Sequence, residues 1–168
     1  AFDEAKAISA KIMAHSLAGL ILKKSMCEVS LFWMQDGVYC KARIDILSQT
    51  PSGICLGDLK NFSSLAEESL IGYQIAKLKY QYQMGFYSKA IEAVFGKQPI
   101  KRYWIFIEGE DPYGIKVRNC TETMAECGWL GIQQMLPRYL ECQETGIWPG
   151  YSEDEIDATM PDFGYQTV

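Results

Sequence analysis

Apolar residues recur mostly at helical spacing over residues 3–24, at Ala7, Ile8, Met13, Leu17, Leu20 and Ile21, which predicts one amphipathic helix. Residues 26–34 (MCEVSLFWM) change to the alternation of a strand. Gln35-Asp36-Gly37 supplies a glycine-bearing hairpin turn, and residues 38–47 read as a second strand. A turn over residues 48–53 leads to a short third strand at 54–60. Ser63 or Ser64 can cap a helix, with Glu67 completing a capping box on Ser64. That helix is expected to reach about Phe95, with Gly72 as the place for a break. Gly96 and Pro99 form a stop signal. Residues 101–108 (KRYWIFIE) then read as a buried strand and 115–118 as a short return strand. A helix over 121–144 has Gly128 and Gly131 as weak points, and Gly146 and Pro149 close it. A loop or tail is expected for the last twenty residues.

This order predicts an α/β fold with a central mixed β-sheet. Three strands form an antiparallel meander, and the long helix is a crossover that returns a parallel strand, so helices flank the sheet. At 168 residues the chain is long enough for one domain with its own core. The expected division is a domain over 1–150 and an acidic tail over 151–168. No apolar run approaches the ~20 residues that span a bilayer. The opening AFDEAKAISAKIMAHS is not a secretory signal, since acids come first and no long apolar stretch follows. It starts abruptly inside a helical pattern, so further residues upstream are expected.

Of the six cysteines, Cys27, Cys40 and Cys55 fall in strand-like stretches, where a free thiol acts as a small buried hydrophobe. Cys120, Cys127 and Cys142 lack the close pairing of zinc or iron–sulfur sites. Reduced thiols and a cytoplasmic location are the expectation. Net charge is −5, which argues weakly against a polyanionic partner, but the charge is unevenly spread. From Cys120 onward nine acids face one base, Arg138. Within 77–102, Lys77, Lys79, Lys89, Lys97, Lys101 and Arg102 face a single acid, Glu92. Such a segment suits a nucleic-acid enzyme and equally a solvated helix face.

The candidate chemistry lies at the ends of strands two and three. Asp45 ends KARID, and Asp58 and Lys60 stand in GDLK. Antiparallel strands joined by a tight turn do not obviously bring these positions together, so a bend or bulge is expected there. Two converging carboxylates need a cation, and magnesium suits oxygen ligands. A lysine two residues after the second acid shares its sheet face and can orient a metal-bound water, an arrangement that suits phosphodiester hydrolysis. Ordinary strand-end charges would leave the same D-x-K spelling. His15, the lone histidine, is a surface or structural residue or else a metal ligand. Gln83 and Tyr87 share a helix face, where an amide and a phenol suit a phosphate or sugar edge. Tyr73 and Tyr80 extend that stripe at seven-residue intervals, Tyr73 as core.

Taken in order, AHSLAGLIL, CEVSLFW, KARIDIL, GDLKNFSS, YQYQMGFYSKAIEAVFGKQP, RYWIFIE and ECQETGIWPGY resemble the PD-(D/E)xK nuclease superfamily. The resemblance is to its RecB-like branch, and within it to the RecE-type exonucleases (exonuclease VIII) of phages and prophages. It implies a restriction-endonuclease-like fold and a Mg2+-dependent exonuclease, with Mn2+ as the alternative ion. It gives Asp45, Asp58, the Leu59 carbonyl and His15 as metal ligands, and Asp45, Asp58, Lys60 and His15 as the catalytic set. Gln83 and Tyr87 match the QxxxY motif that contacts DNA, and Glu28 is a further candidate acid. It further implies 5′-to-3′ digestion of double-stranded DNA in phage recombination, beside a single-strand annealing protein, by a ring-shaped trimer or tetramer. Ile44 stands where the family name has proline. A non-enzymatic α/β adaptor or phage structural protein, and an endonuclease of the same fold, are the alternatives.

Overall fold

The computed structural model describes residues 2–62 and 68–159. The expected capping box at Ser64 and Glu67 lies outside the described residues, as does the chain after Thr159. The elements are α1 (Phe2–Ala14), α2 (Ser16–Leu22), β1 (Ser25–Gln35), β2 (Val38–Thr50), β3 (Gly53–Phe62), α3 (Glu68–Lys77), α4 (Tyr80–Phe95), β4 (Lys101–Glu108), β5 (Ile115–Asn119) and α5 (Glu122–Thr145). One five-stranded sheet has the order β1-β2-β3-β4-β5. β1–β2 and β2–β3 are antiparallel, β3–β4 is parallel and β4–β5 antiparallel. The expected mixed sheet is therefore present, with α3 and α4 in the crossover.

The sheet is covered on both faces. Leu31, Trp33, Ala42, Ile44, Leu47 and Leu56 pack on Tyr87, Ala90 and Ile91 of α4. Ile46, Ile105 and Ile107 pack on Ile12 of α1 and on Ala18 and Ile21 of α2. A third cluster joins Phe62, Trp104 and Phe106 to Ile71, Ile75 and Met84. These apolar faces supply the main driving force for assembling the layers.

Three expectations about the helices need correction. The first helix is two, bent by 101° at His15. His15 takes extended backbone and its Nδ1 accepts from Ala18 N at 3.2 Å, so the single histidine is the N-cap of α2. No single helix among the described residues is long and apolar enough to cross a membrane. The crossover helix breaks at Leu78–Lys79 rather than Gly72, because Lys79 sits in the left-handed region at φ 54°. The break re-aims α4 and leaves Tyr73 on α3, 64% exposed, so Tyr73 is not a core residue. Gly128 and Gly131 do not weaken α5. A Cβ on Gly128 would sit 2.0 Å from Gln81 O, and one on Gly85 would sit 2.5 Å from Ala125 O. These glycines let α4 and α5 touch backbone to backbone. All six cysteines are free; Cys40, Cys120 and Cys142 are buried, whereas Cys27 is exposed despite its place in a strand. Burial raises the Cys120 thiol to about 12, so it stays protonated and inert.

Candidate active site

The β2–β3 ladder runs from Thr50↔Gly53 to Ile46↔Gly57 and stops. The next pair in that register is Asp45 opposite Asp58. Simple hairpin counting therefore joins the two acids, contrary to the expectation that adjacent strands would not obviously do so. The expected irregularity is also there. Ile44 and Leu47 enter the core cluster under α4 while Ile46 enters the one under α2, so the inward–outward alternation slips by one residue at Asp45. Across the sheet Glu28 has φ 58°, and the β1–β2 ladder skips the Glu28–Asp45 position. Beyond this point β2 pairs only with β1, and β3 only with β4. The strands diverge where the acids stand.

Asp45 Oδ2 reaches into the split and accepts from Leu59 N at 3.0 Å. This contact replaces a lost ladder bond and fixes the carboxylate. Asp58 is 1% exposed. Its Oδ1 accepts from Gln83 Nε2 at 2.8 Å, and the Lys60 ammonium stands 2.6 Å from its Oδ2. Lys60 Nζ also donates to Gln83 Oε1 at 2.7 Å and lies 4.6 Å above the Tyr80 ring. Gln83 Nε2 further donates to Tyr87 OH at 2.9 Å, and Tyr87 OH donates to Arg43 O at 2.7 Å. Asp58, Lys60, Gln83 and Tyr87 thus form one continuous network that ties β3 to α4 and α4 to β2. Burial raises the Asp58 carboxyl to about 6, against the pull of Lys60; the nearby Asp45 charge adds to the rise. Burial likewise raises the Tyr87 phenol.

Lys60 shares the face of Asp58, as its spacing predicted. Tyr80 joins the site through the Lys60 ammonium, and its place three residues before Gln83, one turn along the same helix face, is the sequence signal for it. Gln83 and Tyr87 lie inside the network, with their donors engaged by Asp58, Tyr87 and Arg43. Glu28 is exposed and ion-paired with Arg43. Among the described residues no three His, Cys, Asp or Glu side chains gather closely enough to form a metal cluster. What does suit a divalent cation is the oxygen character of the pair. Asp58 Oδ2 is buried with the Lys60 ammonium 2.6 Å away as its partner, and a carboxylate oxygen has a second lone pair for a cation. His15 fits less directly: Nδ1 accepts the cap bond, which places the neutral ring's proton on Nε2.

Comparison with known proteins decides the family. A model described as a PDDEXK-like domain of unknown function (DUF3799) matches residues 1–158. The chain belongs to this family. A crystal structure from Eubacterium rectale, named a "putative exonuclease", superposes on the PDDEXK-like domain with a TM-score of 0.74 at 14% identity. The match covers 97% of this chain, which spans 64% of that one, and it shows the fold. A second solved structure, SSO0001, shares 18% identity over 88% of this chain and 77% of its own, with a TM-score of 0.41. No curated protein matches the chain. Asp45 and Asp58-Leu59-Lys60 have the spelling of acid, then acid, any residue and lysine that the name PDDEXK abbreviates.

Proposed function

We propose that this PDDEXK-like domain is a divalent-metal-dependent deoxyribonuclease that digests double-stranded DNA from its ends. The observation that supports it most is the Asp45–Asp58 pair at the strand divergence, with Lys60 clamped between Asp58 and Gln83. A structural role alone gives little reason to bury a carboxylate beside a second acid. Asp45, Asp58, the Leu59 carbonyl and His15 are the groups that would hold Mg2+ or Mn2+. When bound, the ion lowers the pKa of water and stabilises charge on the phosphate. Lys60 orients the attacking water, and its ammonium, confined by Gln83 and the Tyr80 ring, has little freedom to leave that position. Gln83 and Tyr87 hold Asp58 in place; contact with DNA would require them to exchange internal bonds. For His15 to ligate through Nε2, its proton must move to Nδ1, which releases the α2 cap.

The finer reading is a RecE-type exonuclease of phage recombination that works 5′ to 3′ beside a single-strand annealing protein. It would act as a ring-shaped trimer or tetramer, with residues 151–168 as an acidic tail. Its support is the ordered set of motifs in the sequence. Incubation with magnesium and either linear or covalently closed circular duplex DNA tests it. Digestion of linear DNA alone supports the exonuclease, discrete cutting of circles supports an endonuclease of the same fold, and no cutting of either supports a non-enzymatic adaptor.

A further inference from the structure

Between α4, the first turns of α5 and the start of β4 lies a cavity of about 330 Å3. Arg102, 6% exposed, lines it from β4. Its Nε donates to Ser88 Oγ at 2.7 Å, and that hydroxyl donates to Met84 O at 2.7 Å. Among the described residues the guanidinium makes no ion pair and no second hydrogen bond, so both terminal nitrogens lack a protein partner. An arginine cannot shed its proton to escape this burial. Water in the cavity can satisfy its N–H groups, and the Glu122 and Glu126 carboxylates line the same space without pairing with it, so the guanidinium fork is open to a ligand.

The surroundings define which ligand fits it. Lys89 already has a partner, Glu92 Oε2 at 2.6 Å, and its ammonium lies 5.7 Å from the Trp129 ring centroid. Glu122 and Glu126 line the cavity from α5, and neither is ion-paired with Arg102. Those two carboxylates disfavour a dianion. We propose that the cavity binds a singly charged phosphodiester, whose two free oxygens take the planar fork of Arg102. The identification of that group as nucleic-acid backbone rests on the nuclease reading and on the basic run over 77–102, of which Arg102 is the last member. It places a second grip on the strand, apart from the Asp58 network.

The test uses the full chain in EDTA, so that hydrolysis does not intervene. Thermal unfolding and calorimetry are run with thymidylyl-thymidine, with a short single-stranded oligonucleotide and with inorganic phosphate. The two diesters should raise Tm by several degrees at millimolar concentration, and inorganic phosphate by less. Arg102→Met should remove that increment while the variant still unfolds cooperatively in phosphate-free buffer. Glu122→Gln with Glu126→Gln should tighten inorganic phosphate binding at least threefold. Persistence of the ligand shift in Arg102→Met, or no shift with any of the three probes, overturns the site. Binding of inorganic phosphate alone overturns the phosphodiester assignment. Both outcomes are independent of the linear-versus-circular assay, on which the nuclease reading stands or falls.

Discussion

Replacing Lys60 by alanine should weaken the fold of the metal-free protein in a pH-dependent way. Lys60 is 16% exposed at its side chain and Asp58 1%, so the pair is shielded from water. Removing one partner of a buried ion pair typically costs about 3–5 kcal/mol, because the other charge is stranded. In a domain of this size each kcal/mol moves Tm by roughly 2–4 °C, so the expected fall is roughly 6–20 °C at pH 7.5 in EDTA. The sign with pH follows from Asp58, whose carboxyl is raised from 3.8 to about 6. A carboxyl raised on folding contributes stability in acid, present below its ordinary value and lost as pH rises through about 6. At pH 5 Asp58 is mostly protonated and Lys60 has little charge to neutralise, so the variant should lose much less. Magnesium should restore part of the loss at pH 7.5. Scanning calorimetry of wild type, Lys60→Ala, Asp58→Asn and the double variant gives the coupling directly. An equal loss at pH 5 and pH 7.5, or an undiminished loss in the Asp58→Asn background, refutes the stranded-charge reasoning.

Asp45→Asn and Asp58→Asn should each weaken Mg2+ binding at least tenfold in titration calorimetry; Asp58→Asn should also lower Tm in EDTA above pH 6, since it leaves the Lys60 ammonium without its partner. His15→Ala should lose about 1 kcal/mol through the missing cap, whereas His15→Asn should keep it, so nuclease activity lost in the asparagine variant would mark a role beyond capping. Gly128→Ala should cost about 1–3 kcal/mol or more in urea denaturation, because its Cβ meets the backbone of Gln81; Gly131→Ala, which meets only the end of the Tyr82 side chain, should cost less.

Much of the architecture was written in local pattern. The strand periodicity over β1, β2 and β4, the Asp36-Gly37 turn and the Gly96 stop each depend on residues a few positions apart, and the structure reproduces them within a few residues. The D-x-K face was also legible, because alternation along one strand is a local property. What sequence did not yield were the bends at His15 and Lys79 and the close crossing at Gly85 and Gly128. No proline or glycine marks either bend. Lys79 accepts a left-handed backbone so that α4 can bring Gln83 onto Lys60, and the reward for that lies 23 residues away in β3. The sequence by itself determined which residues could carry charge, and on which side of each strand or helix. Only the tertiary structure decided that Gln83 faces inward onto Lys60 and that Arg102 is left without an ion pair. Such convergence depends on packing between distant elements, and packing energy has no local spelling.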